Sequence, residues 1–165
     1  MQRFTKSIIF ALEKIKIMDK LKIYSAYLPF EVKVSYNSID YIGVLKSIDT
    51  FRNQVSFFSK HLFEQIEIED VKPILFSLED LTKEITIGGE TFVPFDELIK
   101  IKNVRLRVEK YENGDKKLLN INTFSFSLFD FEYKIIEKLL EWKFNVFNLP
   151  EIEYIKVTEE NNPYK

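Results

Sequence analysis

Beyond Pro29 the chain passes through three short segments in which apolar and polar side chains alternate, and this period of two limits the fold more than any other feature. Phe30–Tyr36 places Phe30, Val32, Val34 and Tyr36 on one side, with Glu31, Lys33 and Ser35 on the other. Asp40–Ile48 is longer and carries Ile42, Val44, Leu45 and Ile48, with Gly43 inside the run. Gln54–Phe58 follows after the polar turn Asp49–Asn53, and Asn37-Ser38 joins the first two runs as closely as a tight hairpin does. A glycine inside a long strand marks a bend by which one strand serves both sheets of a small barrel. In front of these runs Asp19–Tyr27 reads as a short helix, stopped by Pro29. A helix followed by short, bent antiparallel strands predicts an SH3-like barrel over residues 18–76.

The rest of the chain, residues 77–165, predicts an α+β subdomain sharing one core with the barrel. Ser77-Leu78-Glu79-Asp80 has the form of a capping box and starts a short helix to about Glu84. Gly88-Gly89 lies between Glu84–Ile87 and Glu90–Val93 as a compact hairpin signal, and Pro94 precedes a short helix over Phe95–Ile101. Val104–Tyr111 and Lys116–Ser127 read as paired strands around Glu112-Asn113-Gly114-Asp115. From Leu128 to about Phe147, the residues Leu128, Phe131, Ile135, Leu139, Trp142 and Val146 keep a helical spacing. Pro150 ends that helix, and Asn161–Lys165 reads as a loose tail. The expected class is therefore α+β: an N-terminal helix, a small SH3-like barrel, then a second antiparallel sheet packed by a C-terminal helix. Residues 1–17 form a helical extension, with Phe4, Ile8, Ala11, Leu12 and Ile15 on one face and Met18 as a second possible start.

Composition narrows function mostly by exclusion. A chain of 165 residues buries roughly 70% of its unfolded surface, enough for a core without disulfides or metal. It has no cysteine, which removes disulfide scaffolds, zinc fingers, iron–sulfur sites and thiol nucleophiles. The single histidine, His61, leaves no His-based triad and no multi-His metal site. Glu67 and Glu69 lie in polar sequence with no nucleophile, oxyanion hole or phosphate loop to work with, so we expect a non-enzyme without cofactor or metal. The apolar run Ile8–Leu12 is too short for a signal core or a spanning helix, and the expected compartment is the cytoplasm, away from membranes.

The formal net charge of −2 conceals an uneven distribution. Residues 1–60 carry ten basic and five acidic side chains, residues 61–100 carry three and ten, and residues 101–165 carry eleven of each. A basic first third suits phosphate, and an acidic middle suits a basic groove on a nucleic-acid-handling protein. Glu64, Glu67, Glu69 and Asp70 form the acidic face expected to meet such a partner. Twenty Lys against four Arg, with 20 Ile, 10 Asn and only two Ala, also point to an AT-rich genome.

Two local resemblances add to this reading. The run Gly43-Val44-Leu45-Lys46-Ser47-Ile48-Asp49-Thr50-Phe51-Arg52-Asn53-Gln54-Val55 resembles the first motif of Sm-like RNA-binding proteins, matching at Gly43, Leu45, Asp49 and Asn53. That resemblance implies a single-stranded RNA site. Asn53 would read a base edge, Asp49 would hold it, Phe51 would offer a stacking face, and Lys46 and Arg52 would supply charge. No second Sm motif is present, and Asp49 and Asn53 equally suit a plain strand-to-strand turn. The segments Lys72-Pro73-Ile74-Leu75, Leu78-Glu79-Asp80-Leu81-Thr82-Lys83-Glu84-Ile85 and Gly89-Glu90-Thr91-Phe92-Val93-Pro94 are similar to a group of small phage and mobile-element proteins of Bacteroidetes. So is Lys138-Leu139-Leu140-Glu141-Trp142-Lys143-Phe144-Asn145-Val146-Phe147-Asn148-Leu149, with departures from the group at Phe76 and Lys143. This second resemblance implies a protein that counters host defence, specifically an anti-CRISPR protein. Its partner would be the type VI-B RNA-guided RNA nuclease, with or without guide RNA.

Overall fold

The computed structural model describes residues 19–36, 41–59, 62–101, 106–110, 116–120 and 133–165. The chain divides into two compact units, Met1–Ile74 and Leu75–Lys165. The expected extension over residues 1–17, the Asn37-Ser38 and Glu112–Asp115 turns, His61, Leu128 and Phe131 lie outside the described residues.

In the first unit, residues 19–27 are helical (α1). Leu21, Tyr24 and Tyr27 recur every three residues, share one face of α1, and are all buried. Pro29 cannot extend the helix, and the chain leaves it through a 3-10 turn, Leu28–Phe30. Glu31 then adopts a left-handed conformation at φ 53°. This exit shortens the expected strand at its start, so β1 is Lys33–Tyr36, although Val32 and Val34 face inward as the alternation predicts. β2 is Tyr41–Asp49, β3 Gln54–Ser59, β4 Leu62–Glu67 and β5 Val71–Leu75. A 3-10 turn, Ile68–Asp70, links β4 to β5.

The five strands are antiparallel, in the order β5-β1-β2-β3-β4. Among the described residues the barrel expected from the sequence is not closed: β4 ends the sheet, and no ladder joins it to β5. A bulge between Leu45 and Ser47 in β2 leaves Lys46 as the extra residue. Gly43 is required by packing, since a Cβ at this position would overlap the Phe57 ring and stand 2.8 Å from the Phe58 carbonyl oxygen. Val34, Leu45, Val55 and Phe57 fill the core side of the sheet.

In the second unit the Ser77 capping box forms as expected. The Ser77 hydroxyl accepts from Glu79 N, and Asp80 accepts from Ser77 N. The helix it starts is a 3-10 turn, Leu78–Thr82. β6 (Ile85–Ile87) and β7 (Glu90–Phe92) pair around Gly88-Gly89, whose φ of 60° and 84° are conformations glycine adopts readily. α2 is Pro94–Leu98, and β8 (Leu106–Lys110) pairs with β9 (Lys116–Asn120). α3 is Tyr133–Glu141, burying Ile135, Leu139 and Leu140. It ends well before the expected Phe147. Lys143 turns left-handed at φ 61°, and Phe144 leaves the helix to pair with Phe76. Phe76 N donates to Lys143 O and Asn145 N donates to Phe76 O. Trp142 and Val146 therefore keep an apolar role without a helical one: Trp142 lies 5.2 Å from Phe92, and Val146 is buried. β10 (Ile155–Lys156) follows. The C-terminal residues are not a loose tail. Asn162 Nδ2 donates to Thr86 O, Gly88 N donates to Tyr164 O, and Tyr164 is buried.

Candidate functional site

The first unit presents a turn, a sheet face and a strand edge that bear on binding. At the turn between β2 and β3, Asp49 Oδ1 accepts from Phe51 N (3.0 Å) and Arg52 N (2.9 Å), and Oδ2 lies 3.9 Å from Arg52 Nε. Asp49 therefore organises the backbone and does not hold Asn53. Asn53 adopts φ 58°, the left-handed conformation asparagine tolerates best after glycine, and its carbonyl accepts from Ile68 N. This arrangement thrusts Phe51 into solvent at 94% exposure. Lys46 lies on the bulge with its ammonium 2.7 Å from Glu31. Of the five residues the Sm-like resemblance singles out, Asp49, Phe51, Arg52 and Asn53 share this one turn, while Lys46 is held by a partner of its own.

The sheet face follows from the ladder. Directly opposed residues project to the same side, so Val44, Phe58 and Phe63 form a row across β2, β3 and β4 on the side away from Phe57. Phe58 is 47% exposed and Phe63 64% exposed, an apolar pair that solvated sheet faces usually avoid. The pair is hidden in the sequence because Leu62–Glu67 does not alternate as a strand does. Its polar residues Glu64, Gln65 and Glu67 obscure the alternation of Phe63 against Ile66.

The acidic residues are spread over two sides and a turn. Glu64 lies opposite Phe57 on the core side and is half-buried. Glu67 lies opposite Gln54 on the other side and accepts from its Nε2 at 2.8 Å. Glu69 and Asp70 sit in the following turn, where Glu69 pairs with Lys20 at 3.4 Å. Glu67, Glu69 and Asp70 are all exposed.

The second unit holds a cleft of about 580 Å³ lined by Phe76, Asp80, Ile85, Thr86, Lys156 and Asn162, among others. Two of its lysines are paired: Lys83 lies 2.6 Å from Asp80, and Lys156 lies 3.3 Å from Glu79. Burial pulls the Lys156 pKa down, but the hydrogen bond to Glu79 and the nearby charges of Asp80 and Glu79 outweigh it, so the value rises above the ordinary 10.5. An ammonium held charged in this way is a poor base or nucleophile at neutral pH. Among the described residues no three of His, Cys, Asp and Glu converge to hold a metal ion, and no helix is long and apolar enough to cross a membrane. Comparison with known proteins finds no family, no curated protein and no solved structure that matches this chain.

Proposed function

We propose that the chain acts by binding and not by catalysis. Its partner is the type VI-B RNA-guided RNA nuclease of a bacterial host, which it inhibits in the cytoplasm as a phage or mobile-element protein. The observation that carries a protein-binding reading is the solvent-facing pair Phe58–Phe63, bordered by Gln65 and Glu67 and followed by Glu69 and Asp70. Aromatic anchors in a polar rim are what protein interfaces use, and carboxylates match the basic channel that such a nuclease needs to hold its guide. The choice of nuclease comes from the resemblance to mobile-element proteins. For the first unit the reading is a small, open SH3-like arrangement, supported by a helix followed by five consecutive antiparallel strands with a bulge in the second.

The test is direct binding to the purified nuclease, with and without guide RNA, alongside its RNA-cleavage rate. Replacing both Phe58 and Phe63 by Ala should weaken binding by roughly tenfold or more if they are anchors. Unchanged cleavage in the presence of saturating wild-type protein would sink the inhibitor reading.

A second reading, Sm-like binding of single-stranded RNA, is favoured by one observation: the exposed Phe51 ring stands beside Arg52 and Asn53 at a turn closed by two hydrogen bonds to Asp49. On that reading Lys46→Ala, Arg52→Ala and Asn53→Ala together abolish binding to a short U-rich RNA, and wild-type binding falls steeply with salt.

A further inference from the structure

We propose that the free edge of β4 is a docking rail for an extended, basic segment of the protein partner, which joins the sheet as one more strand. This deepens the protein-binding reading above and rests on it. The backbone geometry comes first. Ile68 N donates to Asn53 O, and the β3–β4 register continues without a shift from that point to Ser59 opposite Leu62. In an antiparallel ladder, pairs that exchange hydrogen bonds alternate with pairs that do not. Ile66 and Glu64 therefore turn their backbone groups toward β3, while Phe63, Gln65 and Glu67 turn theirs outward. Among the described residues nothing accepts from or donates to those outward groups. Each is an unmet donor or acceptor, spaced as a strand requires.

The side chains decide what kind of strand fits. β4 carries no proline and no bulge, two of the usual means of blunting an edge. It carries charge instead, and on both sides: Glu67 on the solvent side and half-buried Glu64 on the core side. An inward-leaning carboxylate penalises pairing with an apolar strand, which would bury it unmatched. A second copy of this chain would bring two more glutamates to the same short ladder. A lysine or arginine opposite Glu64, with Cβ atoms roughly 5 Å apart, turns that penalty into attraction. An apolar residue opposite Phe63 covers a ring that is 64% exposed. The occupant that meets these conditions alternates basic and apolar residues, its basic side toward Glu64 and its apolar side toward Phe63. Phosphate-bearing RNA meets the wrong sign here.

The probe is a short labelled peptide of alternating lysine and valine, used with the full chain. A glutamate–valine counterpart and a U-rich RNA serve as controls. We expect saturable binding of the lysine peptide that weakens with salt, and slower amide exchange at Phe63, Gln65 and Glu67. Gln65→Pro removes one outward N–H without touching the β3 ladder, and should weaken binding roughly tenfold, while Gln65→Ala retains it. Glu64→Lys with Glu67→Lys should reverse the preference toward the glutamate peptide, which keeps the test decisive even where the proline variant misfolds. The proposal is overturned by equal binding of both peptides, by an unaltered affinity in folded Gln65→Pro, or by RNA protecting the same three amides. Concentration-dependent dimers that lose protection with Gln65→Pro would overturn it in favour of self-pairing. Nuclease binding measured in parallel separates the two claims. If the nuclease is inhibited equally by wild type and Gln65→Pro, the rail fails and the inhibitor reading stands. If the peptide results hold but the nuclease is never bound, the rail stands and that choice of partner fails.

Discussion

Single atoms account for much of the first unit. Gly43 is one: the missing Cβ is the space the Phe57 ring occupies. Gly43→Ala should destabilise the protein by ~1–3 kcal/mol, since the clash involves backbone as well as ring, and denaturant titration reads it out. A loss near zero would mean that Phe57 can move aside. Tyr24 is another: its hydroxyl donates to Val71 O at 2.6 Å in a buried setting, tying α1 to β5. Tyr24→Phe should cost about 1–3 kcal/mol because the carbonyl is left without its donor. In the second unit, the raised Lys156 pKa sets a direction for pH. The stability from its contact with Glu79 is fully present below the ordinary lysine value of 10.5 and is lost as pH rises through the raised folded value. The stability difference between wild type and Lys156→Met should therefore stay flat from neutral pH to about 10.5 and shrink as pH rises from there through the raised value. A difference that fades well below 10.5 would assign the contribution to something else. Residue types alone made the capping side chains legible, Ser77 and Asp49 among them, because short polar side chains before a turn have few other uses. They did not reveal that Asp49 spends one oxygen on two backbone amides, turns the other toward Arg52 and leaves Asn53 alone.

At the level of elements, regular alternation was readable and interrupted alternation was not. β2, β3 and the Gly88-Gly89 hairpin fall where the period of two and the turn glycines put them. β4 did not show itself, because three of its six residues are polar and one of them, Glu64, sits on the core side. α3 failed in the opposite way. The apolar spacing runs on to Val146, but the backbone stops being helical after Glu141. Phe144 gains a strand-like bridge to Phe76 and a ring contact at 5.6 Å, and Asn145 caps the next turn through Leu149 N and O. Periodicity reports which side is apolar, and here a non-helical segment presents that side equally well. Leu139, fully buried on α3, supplies the test: Leu139→Ala should cost ~2–5 kcal/mol. A loss under about half a kcal/mol would show that the helix face is not core.

Across the molecule, charge is what the sequence conveyed most directly, and its arrangement what it conveyed least. The ten acidic residues between 61 and 100 do not form one face. Glu64 and Glu67 flank the sheet on opposite sides, and Glu69 is partly answered by Lys20. Reversing Glu67, Glu69 and Asp70 to Lys should still slow association with a basic partner several-fold, because steering depends on net potential more than on contact. Stopped-flow association rates at low and high salt would show it, and a rate unchanged at low salt would remove these residues from the encounter. The docked C-terminus of the second unit carries a consequence of its own. The Gly88 amide is shielded by Tyr164 O, and Thr86 O by the Asn162 side chain, so the last few residues act as a latch over the β6–β7 hairpin. Such a latch can lift without the rest of the unit unfolding, and Gly88 is the natural reporter of that event. Its amide should take up deuterium at the rate set by latch opening, faster than the amides of α3. Any occupant of the neighbouring cleft that leans on Asn162 would be felt first as a slowing of that single proton.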